Sequence, residues 1–231
     1  MWQSAISKPN SSVTISGVLS AVLVMSLVCS MSMRHGHADA PIANTAEQAQ
    51  PLQAGQNAPL FTVRTVDNEA FVFDPRNLER PAVLITFRGG WCPFCNMHLS
   101  ELKDVVAEID SLGVDVLFLS GDRPELLYQS LSRETQEDIA GLNYTILSDA
   151  DAQAAIALGI AFKASQQTID RRLEKQQDID DSSMLRHGVL PVPAVFAVGT
   201  DGVIAFTFAD PNYKVRLPSD ELMAVVKELV Q

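Results

Sequence analysis

Short apolar runs recur along the chain and are separated by stretches in which apolar residues repeat at helical spacing. The run Pro81 to Phe87 is nearly continuous in apolar residues, which is typical of a strand buried on both faces of a sheet. Two other pairs of runs flank turn residues, and each pair predicts a β-hairpin. The predicted strands cover residues 61–66, 70–73, 81–87, 114–119, 144–147, 194–198 and 203–208.

Apolar residues spaced three and four apart predict an amphipathic helix from Pro93 to Gly113. Its apolar face would be formed by Leu99, Leu102, Val106, Ile109 and Leu112. Further helices are predicted at 124–136, 149–158 and 218–230, and the Gln-rich segment 163–188 predicts an inserted surface helix plus loop. This order of elements predicts an α/β fold with a mixed central sheet and helices on both faces.

Residues 1–40 have the pattern of a targeting segment. Lys8 is the one charged side chain of residues 1–12, residues 13–33 have none, and Ala38 to Ala40 resembles an A-x-A cleavage site. The pattern predicts a signal peptide or a retained N-terminal anchor, since 13–33 is long enough to span a bilayer. Both interpretations predict an exported protein, periplasmic or membrane-anchored. Residues 41–51 are predicted to be a flexible linker, and 52–231 the folded domain.

Charge and cysteine content narrow the function. The chain has 17 Lys and Arg against 28 Asp and Glu, a net charge of −11, so we expect no nucleic acid partner. It has three cysteines, too few for a disulfide scaffold. Cys29 lies in the apolar N-terminal stretch, which leaves Cys92 and Cys95 as the only thiols of the predicted domain. One closely spaced pair in an exported domain suggests redox chemistry.

Cys92 and Cys95 form a CxxC pair between a buried strand and an amphipathic helix. Pro93 suits the first helical position, and the free N–H groups of the first turn favour the thiolate of Cys92. Cys95 lies in the same turn and can act as a resolving thiol. The alternatives are a zinc half-site, which needs two further ligands, and two inert core cysteines. We expect neither a metal nor a cofactor.

Six motifs, taken in order, resemble the peroxiredoxin-like branch of the AhpC/TSA (alkyl hydroperoxide reductase/thiol-specific antioxidant) family. The resemblance covers about residues 52–231. It implies a thioredoxin-like fold with an N-terminal β-hairpin extension and an insert before the strand that follows the active-site proline. The motifs are Gly55 to Phe61, Phe87 to Cys95, Leu147 to Asp149, Leu190 to Ala194, Asp201-Gly202 and Asn212 to Arg216.

The resemblance also implies roles for individual residues. Cys92 is similar to the peroxidatic cysteine and Cys95 to the resolving one, and the two would form a redox disulfide. Pro193 matches the proline that thioredoxin-fold proteins hold in cis opposite the active cysteine. Arg216 matches the arginine that stabilises thiolate and peroxide. Four residues before Cys92, Arg88 is a second candidate cation. Supporting positions of the substrate site are predicted at Gly90, Trp91 and Tyr213.

Two positions depart from the family pattern. Gly89 and Ile85 stand where most peroxiredoxins have a hydroxyl residue and a proline. The favoured function is a thiol-dependent peroxidase that reduces hydrogen peroxide or organic hydroperoxides and is re-reduced by a thioredoxin-type dithiol. The alternatives are an exported thiol:disulfide oxidoreductase acting on protein disulfides and a non-enzymatic anchored binding domain with a structural disulfide. We expect His98 on a solvated helix face, and Asp178, Asp180 and Asp181 in a solvated loop.

Overall fold

The core of the protein is a seven-stranded mixed sheet, seen in a computed structural model that describes residues 41–231. The targeting segment predicted at 1–40 and Cys29 lie outside the described residues. The strands are β1 (Phe61–Arg64), β2 (Ala70–Phe73), β3 (Ala82–Phe87), β4 (Asp115–Ser120), β5 (Thr145–Ser148), β6 (Ala161–Lys163), β7 (Val189–Pro191), β8 (Ala194–Val198) and β9 (Ile204–Ala209). The order in the sheet is β2-β1-β5-β4-β3-β8-β9, and β6 pairs with β7 alone.

The centre of this sheet is parallel and its edges are antiparallel. β3 pairs in parallel with β4, and β4 with β5, whereas β1 pairs antiparallel with β2 and β5, and β8 with β3 and β9. Every residue of β3 is buried, because this strand lies inside the sheet with both faces covered. The predicted mixed α/β sheet and both predicted hairpins are confirmed.

The described α-helices are α1 (Pro93–Glu101), α2 (Lys103–Ser111), α3 (Arg133–Ile139), α4 (Gln153–Ala157), α5 (Gln166–Glu174), α6 (Ser183–Arg186) and α7 (Ser219–Leu229). The single helix predicted after Cys92 is therefore two helices that meet at Leu102. Leu102 is fully buried, and the apolar spacing holds across the junction because the first four residues of the predicted face are buried. Leu112, the last of that face, is exposed.

The helices predicted at 124–136 and 149–158 are shorter than expected, because polar side chains interrupt them. A 3-10 turn at Pro124–Leu126 is followed by a break, and α3 begins only after Ser132, whose hydroxyl caps its first turn. α4 begins late because the Asp149 carboxylate accepts hydrogen bonds from two backbone N–H groups of its first turn. Side chains of this kind compete with helical backbone pairing and so set helix ends.

The insert 163–188 contains more regular structure than the predicted helix and loop. α5 has no buried residue, and α6 follows it. The antiparallel pair of β6 and β7 closes the segment, with Phe162 opposite Leu190. Arg123 holds the loop between the two helices, since its guanidinium contacts the Asp178 carboxylate at 2.7 Å and donates to the Asp180 carbonyl at 2.7 Å.

The stretch predicted as a flexible linker instead lies along the domain. Ala43 donates to the Ala161 carbonyl at 3.0 Å and accepts from the Lys163 N–H at 2.9 Å. Leu52 donates to the Leu158 carbonyl at 3.0 Å. These backbone pairs give a polar stretch a defined course. Within residues 41–231, no helix has the length and apolar character needed to cross a membrane.

Candidate active site

The CxxC pair lies where β3 leads into α1. Cys92 is the residue directly before the helix, with an extended backbone, and Pro93 takes the first helical position. The Cys92 carbonyl accepts hydrogen bonds from the N–H groups of Cys95 and Asn96 at 3.0 and 3.2 Å. Both cysteines are free, and they are only 2% and 1% exposed. The site is therefore a buried, reduced dithiol at a helix N-terminus.

A buried carboxylate holds the loop that precedes Cys92. Asp122 follows β4, and its Oδ2 accepts hydrogen bonds from the Gly90 N–H at 2.7 Å and from the Ser130 hydroxyl at 2.8 Å. Burial raises the pKa of Asp122 to about 6, although the hydrogen bond from Gly90 opposes the rise. Sequence analysis missed Asp122. Its position after the parallel neighbour of β3 is a usable signal, because the carboxyl ends of parallel strands meet at one edge of a sheet.

Gly89 shows why the hydroxyl residue of the family pattern is absent. Its φ is +150°, and a Cβ at this position would lie 2.4 Å from Trp91 Nε1 and 2.5 Å from Asp122 Oδ1. Gly90 is equally confined, since a Cβ there would lie 2.1 Å from Ser130 Oγ. The close approach of the loop to Asp122 at Gly89 and to Ser130 at Gly90 therefore requires glycine at both positions.

Asn96 is a second residue that sequence analysis missed. Its amide nitrogen donates to the Gly90 carbonyl at 2.7 Å and to the Cys92 carbonyl at 3.1 Å. Its Oδ1 accepts from the Ser132 N–H at 2.7 Å. One buried amide thus ties the loop, the start of α1 and the start of α3 together. No local pattern indicates this role, because Ser132 is distant in sequence.

The two thiols are shifted in opposite directions. The pKa of Cys92 is lowered to about 7, first by a hydrogen bond from the Cys95 thiol, with smaller contributions from the Cys95 N–H and from the charges of Arg216 and Arg88; burial opposes the shift. Burial raises the pKa of Cys95 well above its usual value. Near neutral pH a substantial fraction of Cys92 is therefore ionised while Cys95 stays protonated, which suits a nucleophile and its resolving partner.

The two predicted cations lie at the pair but contact it differently. Arg216 Nη2 donates to Cys95 Sγ at 3.5 Å, so its direct contact is with Cys95. Its Nη1 donates to the carbonyls of Tyr213 and Val215. Arg88 stacks on Tyr213, with Cζ 4.4 Å from the ring centroid, and burial lowers its pKa. Among residues 41–231, neither guanidinium forms a salt bridge, which leaves both charges available to the site.

The predicted aromatic residues pack beside the pair. Trp91 is 8% exposed, and the Arg172 guanidinium of α5 lies over its ring, 4.6 Å from the centroid. Tyr213 packs edge-on against Phe94 of α1, with ring centroids 5.7 Å apart. The Trp91 contact connects the insert to the residue before Cys92, a link that the sequence did not predict.

The family resemblance implied a cis peptide bond before Pro193. The structure contradicts this, because residues 41–231 contain no cis peptide bond. Pro193 precedes β8 and lines a crevice together with Arg216. The backbone on both sides is held by Thr86, whose hydroxyl accepts from the Ala194 N–H at 2.9 Å and lies 3.3 Å from the Val192 carbonyl oxygen. The trans bond, which is the intrinsically preferred isomer, satisfies these contacts.

The prediction of a solvated His98 is wrong. The side chain is 5% exposed, and its Nε2 lies 3.3 Å from the Leu217 carbonyl oxygen. Burial, with the charge of Arg216, lowers the pKa of His98 to about 4, so the ring is neutral at physiological pH and can donate to that carbonyl. The segment before α7 covers this face of α1, which helical spacing alone does not reveal.

The prediction of a solvated acidic loop is confirmed, since Asp178, Asp180 and Asp181 are all exposed. Asp178 also pairs with Arg123 at the surface. Within the described part of the chain, no three His, Cys, Asp or Glu side chains lie close enough together to hold a metal ion.

Comparison with known proteins identifies the family of the chain. Residues 54–207 match the AhpC/TSA family. The chain is 34% identical over 111 residues to Peroxiredoxin Bcp of Escherichia coli, which is 48% of this chain and 66% of that protein. It is 27% identical over 108 residues to the thiol-disulfide oxidoreductase ResA of Halalkalibacterium halodurans, or 47% of this chain and 57% of that protein. Each alignment thus spans less than two thirds of the relative.

Solved structures share the fold at lower identity. A peroxiredoxin-like protein from Aquifex aeolicus has a TM-score of 0.58 and 21% identity, with 81% of this chain and 96% of that chain covered. AhpC of Mycobacterium tuberculosis has a TM-score of 0.57 and 16% identity, with coverage of 78% and 94%. Because the family match spans well over half of the chain and contains the CxxC pair, the chain belongs to the AhpC/TSA family and has its thioredoxin-like fold.

Proposed function

We propose that this protein is a thiol-dependent peroxidase that reduces hydrogen peroxide or organic hydroperoxides. The observation that carries the proposal is the pKa of Cys92, which is lowered to about 7 at a helix start beside a protonated thiol. A thiolate, and not a thiol, attacks the O–O bond. Membership of the AhpC/TSA family and the similarity to Peroxiredoxin Bcp support the same activity.

In the first step, the Cys92 thiolate attacks one oxygen of the hydroperoxide. The S–O bond forms while the O–O bond breaks, and the leaving alkoxide or hydroxide takes up a proton from solvent. Sulfur is oxidised to the sulfenic acid, and the peroxide is reduced to alcohol or water. The guanidinium groups of Arg88 and Arg216 stabilise the negative charge that develops on the leaving oxygen.

In the second step, the Cys95 thiol attacks the sulfenic sulfur of Cys92. A disulfide forms, and the sulfenic oxygen leaves as water with the proton of Cys95. A thioredoxin-type dithiol then reduces the disulfide by two electrons and is itself oxidised. Arg216, which contacts Cys95 Sγ, lowers the cost of ionising that thiol when it attacks.

The N-terminal pattern adds a proposal about location. Residues 13–33 direct the chain to an exported position, either as part of a cleaved signal peptide or as a retained anchor. Cell fractionation followed by N-terminal sequencing tests this, because a cleaved form begins after Ala40 and an anchored form remains with the membrane. Recovery of the uncleaved chain from the cytosol would contradict it.

The peroxidase proposal is tested by adding hydrogen peroxide to the reduced protein and following Trp91 fluorescence in a stopped-flow instrument. Rapid oxidation by one equivalent of peroxide, absent in Cys92→Ser, is the expected result. Catalytic turnover should then require a thioredoxin-type dithiol. Oxidation that is no faster than that of a free cysteine would overturn the proposal.

A second candidate function is thiol:disulfide exchange with other proteins. It is favoured by Gly89, which stands where most peroxiredoxins have a hydroxyl, and by the similarity to ResA. In that reaction the Cys92 thiolate attacks a disulfide of a partner, and Cys95 releases the mixed disulfide. Fast reduction of insulin disulfides without a response to peroxide would favour this candidate.

A further inference from the structure

The insert contacts Trp91, the residue directly before the attacking cysteine, through two side chains. The Arg172 guanidinium lies over the Trp91 ring, 4.6 Å from the centroid. Gln177 Nε2 donates to the Trp91 carbonyl at 3.3 Å. The two side chains are also joined to each other, since Arg172 Nη1 donates to Gln177 Oε1 at 3.1 Å. We refer to Arg172 and Gln177 as the Trp91 clamp.

The Trp91 clamp is anchored at a second point. Asp178, the residue after Gln177, forms a two-pronged ion pair with Arg123, at 2.7 and 2.8 Å. Arg123 follows β4 by three residues and also donates to the Asp180 carbonyl. The loop that carries Gln177 is thus tied to the central sheet as well as to Trp91.

The clamp belongs to a site that is closed to large molecules. Trp91 is 8% exposed and Cys92 is 2% exposed in the reduced form, in which both cysteines are free. A protein disulfide must bring two peptide segments to the attacking sulfur, whereas hydrogen peroxide is little larger than water. Arg172 forms no salt bridge among residues 41–231, so its guanidinium is committed to Trp91 and Gln177.

We propose that the Trp91 clamp is a size filter that restricts Cys92 of the reduced protein to small oxidants and excludes protein disulfides. This deepens the peroxidase proposal and rests on it, because it names small hydroperoxides as the substrate class. Arg172 acts through Trp91 and does not touch the reacting atoms. It is therefore a positioning residue that determines specificity.

The test compares two alkylating reagents of different size on Cys92. Full-length chains in which Cys29 and Cys95 are replaced by serine retain one thiol. N-ethylmaleimide serves as the small reagent, and a maleimide carrying a polyethylene glycol chain of several kilodaltons as the large one. Both react with the same thiolate, so the ratio of the two rates is independent of the Cys92 pKa.

Arg172→Ala is expected to raise the ratio of large-reagent to small-reagent rate about tenfold, because a desolvated cation–π contact shifts a closed–open equilibrium by roughly that factor. Arg172→Lys should give an intermediate ratio, since it retains the charge and loses the planar stack. Asp178→Ala loosens the second anchor without touching Trp91 and should raise the ratio less. Arg171→Ala is the matched control: this exposed neighbour forms no salt bridge among residues 41–231, and the ratio should not change.

With all three cysteines present, the same variants are assayed against hydrogen peroxide and insulin. Arg172→Ala should increase insulin reduction and leave peroxide oxidation little changed. A ratio that stays at the wild-type value in both Arg172→Ala and Asp178→Ala would overturn the size filter, whatever the peroxide result. If the ratio rises while even the wild type ignores peroxide, the size filter stands and the peroxidase proposal fails.

Discussion

Two helices begin where parallel strands of the sheet end, and each has a buried acid at its start. β3 leads to α1 and Cys92, and β5 leads to α4 and Asp149. The Asp149 carboxylate accepts hydrogen bonds from the N–H groups of Ala154 and Ala155 at 2.9 and 2.8 Å. The Cys92 side chain forms no N-cap hydrogen bond to α1. Its pKa is lowered first by the Cys95 thiol, with smaller contributions from the Cys95 N–H and from the charges of Arg216 and Arg88.

Asp149 and Cys92 have similar pKa values, but one is raised and the other is lowered from its ordinary value. Burial raises the pKa of Asp149 to about 7, and backbone donors do not overcome it. The hydrogen bond from Cys95 leads the lowering of the Cys92 pKa to about 7. A helix start by itself therefore does not ionise a buried acid in this protein. The Cys95 thiol leads the lowering of the Cys92 pKa, and the arginines contribute to it. The sequence analysis had emphasised the free N–H groups of the first turn of α1 instead.

The largest expected effect distinguishes a catalytic role from a structural role for the side chains at the starts of α1 and α4. Cys92→Ser should lower the rate of oxidation by hydrogen peroxide by about a thousandfold or more, because the nucleophile is lost. Its free energy of unfolding should change by less than about 1 kcal/mol, since the side chain caps nothing and serine has a similar shape. Stopped-flow fluorescence and urea unfolding measure the two quantities. A large loss of stability would mean that Cys92 is a structural residue like Asp149.

Asp149→Asn tests the other start through its pH dependence. A carboxyl whose pKa is raised on folding contributes stability that is present below its unfolded value of 3.8 and is lost as the pH rises through about 7. The asparagine variant lacks this titration. Between pH 4 and 7, wild-type stability should therefore fall relative to the variant by about 1 kcal/mol per pH unit.

Urea unfolding across this pH range gives the comparison, and Asp67→Asn is its control. Asp67 is exposed in the turn of the first hairpin and is not among the causes of the Asp149 shift, so its replacement should leave the slope unchanged. Equal slopes for the wild type and Asp149→Asn would show that the backbone donors do keep Asp149 ionised, and the contrast with Cys92 would disappear.

Cys95→Ala tests the leading cause of the low Cys92 pKa. Without the thiol donor, the pKa should rise by about one unit and the thiolate fraction at neutral pH should fall about fivefold. The pH profile of iodoacetamide alkylation, in a Cys29→Ser background, reports the midpoint. Cys95→Ser retains a hydroxyl donor and should keep the midpoint near that of the wild type. An unchanged midpoint in Cys95→Ala would assign the shift to the helix start after all.

Arg88→Gln is expected to have the smallest effect, because the charge of Arg88 is the last of the contributions to the Cys92 pKa. The same alkylation profile should show a rise of less than about half a unit. The stack on Tyr213 retains its aromatic side, so the fold should be preserved. A rise larger than that in Cys95→Ala would reverse the order of causes.

Much of the fold could be predicted because its signals are local. The continuously buried β3, the helical period after Cys92 and the turns of both hairpins depend on residues near one another in sequence, and each was found. The helix predicted at 124–136 is too long. Asn96 of α1 accepts a hydrogen bond from the Ser132 N–H, so this N–H does not take part in helical pairing and α3 begins after Ser132. The solvated His98 was wrong for a similar reason, since the segment around Leu217 covers it.

The candidate site was only partly predictable. The cysteines, Arg88, Trp91, Tyr213 and Arg216 were identified from the motif and its resemblance, and they lie together. Asp122 was missed because its bond to Gly90 spans 32 residues. The Trp91 clamp was missed because the bond from Gln177 to Trp91 spans 86 residues. The trans peptide bond before Pro193 could not be predicted from the sequence either, because an X–Pro bond can adopt either isomer.

By itself, the order of residues determined a mixed sheet, a helix directly after the CxxC pair and the chemical kind of the reacting atoms, because hydrophobic period and side-chain chemistry are properties of short stretches. Only the tertiary structure decided which thiol is ionised, which side chains hold the loop before it and which segment covers it. Proton affinity and access depend on burial and on donors brought together from distant parts of the chain, and no short stretch contains that information.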